Sequence, residues 1–153
     1  MNRTWRVWAL LAAATLPGAC GSNSGAVLYS RMESSLAPPV EMHQASVQQT
    51  SDGAVVRVPE ALLFAPGATR ELTNQGQSLL ISVTQALLTP SIMRIEVVPD
   101  SEPLSDLRVE TVRAFYRDAQ FSSGLPIVLS GPLPGTTPPV PAQGQVTLAI
   151  HVI

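Results

Sequence analysis

Hydrophobic and polar positions change their period several times along the chain, and those changes divide it into elements. Val55, Val56 and Val58 form a short β-branched run that Pro59 ends or confines to a sheet edge. Leu62, Leu63 and Phe64 follow, then the turn signal Pro66-Gly67. Thr73 stands where an N-cap is needed for a helix over 74–88, whose apolar residues Leu79, Leu80, Val83, Ala86 and Leu87 recur at helical spacing. Gly76 weakens the first turn by about 1 kcal/mol relative to alanine, and Thr89-Pro90 stops the helix. The run 92–98 (IMRIEVV) is the strongest strand, with Arg94 and Glu96 on one face.

A second helix starts with Ser105 as N-cap and extends to about Gln120. Val109, Val112, Tyr116 and Ala119 make its inner stripe, and Asp106, Glu110, Arg113 and Arg117 its wet side. Ile127, Val128 and Leu129 form a short apolar strand. The proline-rich stretch 131–141 is an extended surface loop, and 145–153 alternates as a half-buried final strand with Val146, Leu148, Ile150 and Val152 on one face. The order β-α-β-α-β-β predicts an α+β domain in which helices pack on a mixed sheet.

The first twenty residues read differently. Arg3 and Arg6 precede an apolar run of ten (7–16), the length of a secretory h-region and too short to span a bilayer. The run leads into Leu16-Pro17-Gly18-Ala19-Cys20-Gly21-Ser22, which resembles the lipobox of bacterial lipoproteins, although Pro17 occupies the place of the usual apolar residue. Cys20 has only small and polar neighbours, so neither a buried thiol nor an activated thiolate fits it. Acylation, with palmitate among the chains, is the preferred reading; ordinary cleavage and a retained N-terminal anchor are the others. Several acyl chains anchor stably where one is marginal, at about 0.8 kcal/mol per buried methylene. Ser22 after the cysteine resembles an outer-membrane sorting signal. The organisation that follows is a signal peptide over 1–19, a flexible tether over 20–53 and a periplasmic domain over 54–153. The tether reading rests on Ser, Gly, Gln and Pro38-Pro39 without sustained periodicity, with a short strand possible at 26–29, and gives a reach of roughly 30 Å.

Composition then narrows the function. The 153 residues are 13% charged, and all nine basic residues are arginines. Removing nineteen residues and their two arginines leaves 134 residues with seven arginines against eleven acids, a net charge of −4. Charge this sparse and balanced excludes a nucleic-acid partner. One cysteine and two histidines leave no metal ligand set, and no cofactor motif is present. His43 falls in the tether, and His151 reads as an outward-facing solvated residue of the last strand. Without lysine there is no Ser-x-x-Lys, and no Gly-x-Ser-x-Gly occurs, so the chain is read as non-catalytic.

Leu62-Leu63-Phe64 followed by Gly67, Leu72 and Gly76, a strand leading to Asp100, and the helix opening Leu104-Ser105-Asp106-Leu107-Arg108-Val109-Glu110-Thr111-Val112 are together similar to the C-terminal domain of the OmpA family. The likeness covers about 55–153. It implies an OmpA-like two-layer sandwich that binds peptidoglycan, with Asp100 and Arg108 gripping the two ends of a diaminopimelate side chain. Arg108 draws notice on its own, because a cation in a first turn opposes the helix macrodipole by typically 0.3–1 kcal/mol and suits a bound anion. The bland alternative is an exposed salt bridge of Arg108 with Asp100 or Glu102. Gln143-Gly144-Gln145-Val146 replaces the family's Asn-Arg-Arg-Val, and the stretch between Asp100 and Arg108 is short. Two functions follow: a lipid-anchored protein tying the outer membrane or an envelope-spanning complex to peptidoglycan, or a scaffold subunit, resembling DotK/IcmN-type lipoproteins of type IVB secretion machines, that has lost wall binding. Other envelope or secretion-complex proteins are partners under either.

Overall fold

The computed structural model describes residues 24–87, 93–98, 104–123, 127–129 and 144–153. Its elements are α1 (Ser24–Ser35), α2 (Ala37–Glu41), β1 (Ser46–Gln49), β2 (Gly53–Pro59), α3 (Glu60–Leu63), α4 (Asn74–Ala86), β3 (Met93–Val98), α5 (Ser105–Ser123), β4 (Ile127–Leu129) and β5 (Gln145–Val152). The strands form one sheet in the order β1-β2-β5-β3-β4. Only β3 and β4 are parallel; every other pairing is antiparallel. From β2 onward the two long helices and four strands keep the predicted β-α-β-α-β-β order, with the short α3 added. The architecture is the expected α+β two-layer sandwich with a mixed sheet.

The long helices follow from sequence as predicted, within about three residues at their ends. Thr73 caps α4, its hydroxyl accepting from the Gly76 N–H at 2.9 Å. Leu79, Leu80, Val83 and Ala86 of α4 are buried, as are Val109, Val112 and Tyr116 of α5. Leu104 rather than Ser105 takes the cap position of α5, since its carbonyl accepts from the Arg108 N–H at 3.1 Å. Burial pushes the Tyr116 hydroxyl far above the ordinary tyrosine range, and this oxygen has no hydrogen-bond partner among the described residues. Tyr116 therefore acts as an apolar core residue, packed edge-on against Phe115 at 5.4 Å.

The flexible tether is where the structure departs from expectation. Residues 24–35 are helical, with no strand at 26–29, and Leu28, Met32 and Leu36 are fully buried in the same core as β2, α4 and β5. These three stand four apart, so they share one helical face, but serines, a tyrosine and charged residues between them hide the period. Each contributes about 1.5–3 kcal/mol of burial, which a flexible linker would forgo. Gly25 lets α1 meet the β1–β2 turn backbone to backbone: a Cβ there would lie 2.9 Å from Asp52 C and Gly53 N. Pro38 and Pro39 fall in the first turn of α2, where a missing N–H costs nothing. β1 then pairs with β2 from Ser46↔Arg57 to Gln49↔Ala54. The described fold thus begins at residue 24 rather than 54. Residues 1–19, expected as a signal peptide, Cys20 and the stretch 131–141, expected as a surface loop, lie outside the described residues.

β5 is the central strand, and its burial exceeds simple alternation. Val146, Leu148 and Ile150 face the helices, while Thr147 and Ala149 on the opposite face are also buried. Thr147 lies between Arg57 and Val98, and Ala149 between Val55 and Glu96. Short side chains between longer cross-strand neighbours lose their exposure on both faces.

The joint between α3 and α4 fixes the end of the molecule that carries Arg108. Thr73 N–H donates to Leu63 O at 2.8 Å, and the Thr73 hydroxyl donates to Leu62 O. A Cβ on Gly76 would lie 2.8 Å from Leu63 Cα and 3.0 Å from Leu63 O. Gly76 is therefore required by this approach, despite its poor helix propensity. Gly76→Ala should gain up to about 1 kcal/mol of propensity yet lose about 1–3 kcal/mol to overpacking. A lower urea midpoint is the expected outcome, and a raised midpoint would show that the joint is not tight.

Candidate functional site

Pro59 ends β2, and the chain turns at once into α3, so Glu60 is both the first residue after the strand and the first of a helix. Its N–H donates to Gly144 O at 2.8 Å, which ties it to the start of β5. Gly144 takes φ +70°, a conformation that glycine adopts without strain. Phe64 N–H closes α3 on Glu60 O at 2.8 Å, and the Phe64 ring is buried beneath this turn.

Arg108 reaches this turn from α5. One terminal nitrogen pairs with Glu60 Oε2, and Nε donates to Ala68 O at 3.1 Å. The guanidinium carbon lies 5.4 Å from the Phe64 ring centroid, within cation–π range. The two charged side chains are only 14% and 5% exposed. Thr111, one turn further along α5, donates to Thr69 O at 2.6 Å. Arg108 and Thr111 therefore pin the loop 65–72 to α5. Beside this loop runs an open groove lined by Arg70, Glu71, Gln77, Thr111, Phe115 and Asp118.

The anion expected at Arg108 is thus supplied from within the chain by Glu60. Local spacing could not pair residues 48 apart, which is why neither reading of the sequence named Glu60. The exposed salt bridge with Asp100 or Glu102 is corrected in its burial and in its described partner. Asp100 and Glu102, like Cys20, lie outside the described residues.

Of the remaining wet face of α5, Arg117 pairs with Glu110 at 3.2 Å, whereas Arg113 donates to Val97 O at 3.2 Å and so fastens α5 to β3. His151 is half-buried and paired rather than free in solvent: its Nδ1 lies 2.8 Å from Asp52 Oδ2. Burial raises the Asp52 carboxyl, but the hydrogen bond and charge of His151 outweigh it and hold the carboxyl below its ordinary value. His43 is exposed after α2, with φ 56°. Among the described residues no group of three His, Cys, Asp or Glu could hold a metal ion, and no helix is long and apolar enough to cross a membrane.

No protein-family model matches the chain, and no curated protein is detectably similar to it. Solved structures do match. The cell wall anchor of the T6SS from Pseudomonas aeruginosa is similar at 19% identity and a TM-score of 0.56, covering 81% of this chain and 98% of that one. A putative MotB-like protein from Desulfovibrio vulgaris is similar at 17% identity and a TM-score of 0.55, covering 81% and 88%. At such identities the likeness establishes the fold, which is the OmpA-like sandwich expected from the motifs. Coverage of 81% is more than residues 54–153 can fill, in keeping with the inclusion of α1 and β1 in the fold.

Breaking a buried ion pair from one side costs about 3–5 kcal/mol, because the remaining charge is stranded. Arg108→Ala should therefore lower stability by about 3 kcal/mol in chemical denaturation. A loss below about 0.5 kcal/mol is the signature of an exposed pair and would contradict the buried geometry.

Proposed function

We propose that this chain is a non-catalytic anchoring domain that ties the outer membrane, or an envelope-spanning complex built in it, to peptidoglycan. The observation that carries the reading is the fold shared with nearly the whole of a protein described as a cell wall anchor. In this reading the domain is periplasmic and Cys20, acylated after removal of residues 1–19, holds it to the membrane. Arg108 supplies the cation for the carboxylate of a diaminopimelate stem, and Asp100, carried over from the family pattern, the acid for its ammonium. A guanidinium suits that task because its fork matches a carboxylate.

A second reading has its own observation. Arg108 is already engaged by Glu60, Ala68 O and Phe64. That favours a scaffold subunit of a type IVB-like secretion or conjugation machine in which wall binding is lost and the pair is structural.

Sedimentation with purified peptidoglycan separates the two. Wild type should pellet with the wall, and Arg108→Lys, which keeps the charge but not the fork, should pellet less. Wild type remaining in the supernatant overturns the anchoring reading and leaves the scaffold. For the lipid, metabolic labelling with a palmitate analogue should mark the wild type and not Cys20→Ser; label retained by that variant rejects Cys20 as the acceptor.

A further inference from the structure

We infer that Glu60 is a competitor built into the chain for the anion site on Arg108, so that an incoming carboxylate must displace it to bind. The inference deepens the anchoring reading and takes the class of ligand, a peptide-stem carboxylate, from it.

The pair is incompletely made. A guanidinium can offer two parallel N–H donors to one carboxylate, but here a single terminal nitrogen meets Oε2 while Nε is turned to Ala68 O. The second terminal nitrogen has no partner among the described residues. On the other side, Glu60 Oε1 is buried with no hydrogen-bond partner among the described residues. A buried acceptor without a donor is costly, so the pair as built does not satisfy the carboxylate fully. This one leaves donor capacity on the cation and an unmet acceptor on the anion.

The exchange is confined to side chains. The backbone of Glu60 is fixed by its bond to Gly144 O and by the Phe64 bond to its carbonyl. Displacement therefore falls to its side chain, while Ala68 O and the Phe64 face are contacts of Arg108 that do not involve Glu60. Arg108 is the more exposed of the two, so a ligand approaches the cation first. A ligand that brings one weak carboxylate gains no more than Glu60 already provides; one that makes further contacts displaces it. Glu60 then sets the threshold for binding.

The test uses the full mature chain as wild type, Glu60→Gln and Glu60→Asp, with thermal melts to verify folding. In the first arm, no ligand is present, and the rate at which phenylglyoxal modifies Arg108 is followed by peptide mass spectrometry. Glu60→Gln should react about tenfold faster than wild type, equivalent to one decade in the closed-to-open ratio, with Glu60→Asp between them. Equal rates in all three overturn the inference. In the second arm, calorimetry with soluble diaminopimelate-containing peptidoglycan fragments should show Glu60→Gln binding about tenfold tighter than wild type. Equal or weaker binding overturns competition. If no variant binds fragments, the wall reading fails, and the first arm alone decides whether Glu60 guards Arg108.

Discussion

One face of a five-stranded sheet has to be closed against water, and this need organises the rest of the molecule. Strands spaced about 4.8 Å apart make the sheet roughly 20 Å wide, and α5 lies over β3 and β4 at one side of it. The β1–β2 side would remain open without α1, which meets β1, β2, β5 and α4. Leu28, Met32 and Leu36 close that side, and the β1–β2 hairpin extends the sheet beneath them. The core thus depends on a helix whose sequence is too rich in serine to announce itself.

At the opposite end, packing and electrostatics meet in a small volume. The tight α3–α4 joint made by Thr73 and Gly76 fixes the short turn that begins at Glu60, and α5 brings Arg108 over Phe64. The macrodipole at the start of α5 opposes a cation there, and the carboxylate of Glu60 offsets that opposition. The same arrangement that gives the domain a candidate ligand cation therefore also keeps that cation occupied.

What the sequence disclosed follows from the range of each signal. Periodicity and capping are local, so α4 with Thr73, β3, α5, β4 and β5 were legible within about three residues, and the motif around Leu62, Gly67, Gly76 and Arg108 led to the correct fold. The start of the domain was not, because an apolar stripe at every fourth position amid polar residues falls below what a window resolves. The partner of Arg108 was hidden for a different reason: Glu60 and Arg108 meet only because β2 delivers one and α5 the other. Likewise His151 reads as solvated in its strand, since Asp52 reaches it from a turn 99 residues earlier.

The packing of α1 changes how far the domain can travel. If Cys20 carries the lipid, only residues 21–23 separate it from the first turn of a helix fixed in the core, a span of at most about 14 Å at full extension. A swinging arm becomes a short post. Gly25 rests against the Asp52–Gly53 end of β2, and Glu60 follows the other end, some 20 Å away at about 3.3 Å per residue. With that anchor, the bilayer and the Arg108 end would lie at opposite poles, and the distance between them would be set by the length of one strand and not by the slack of a linker.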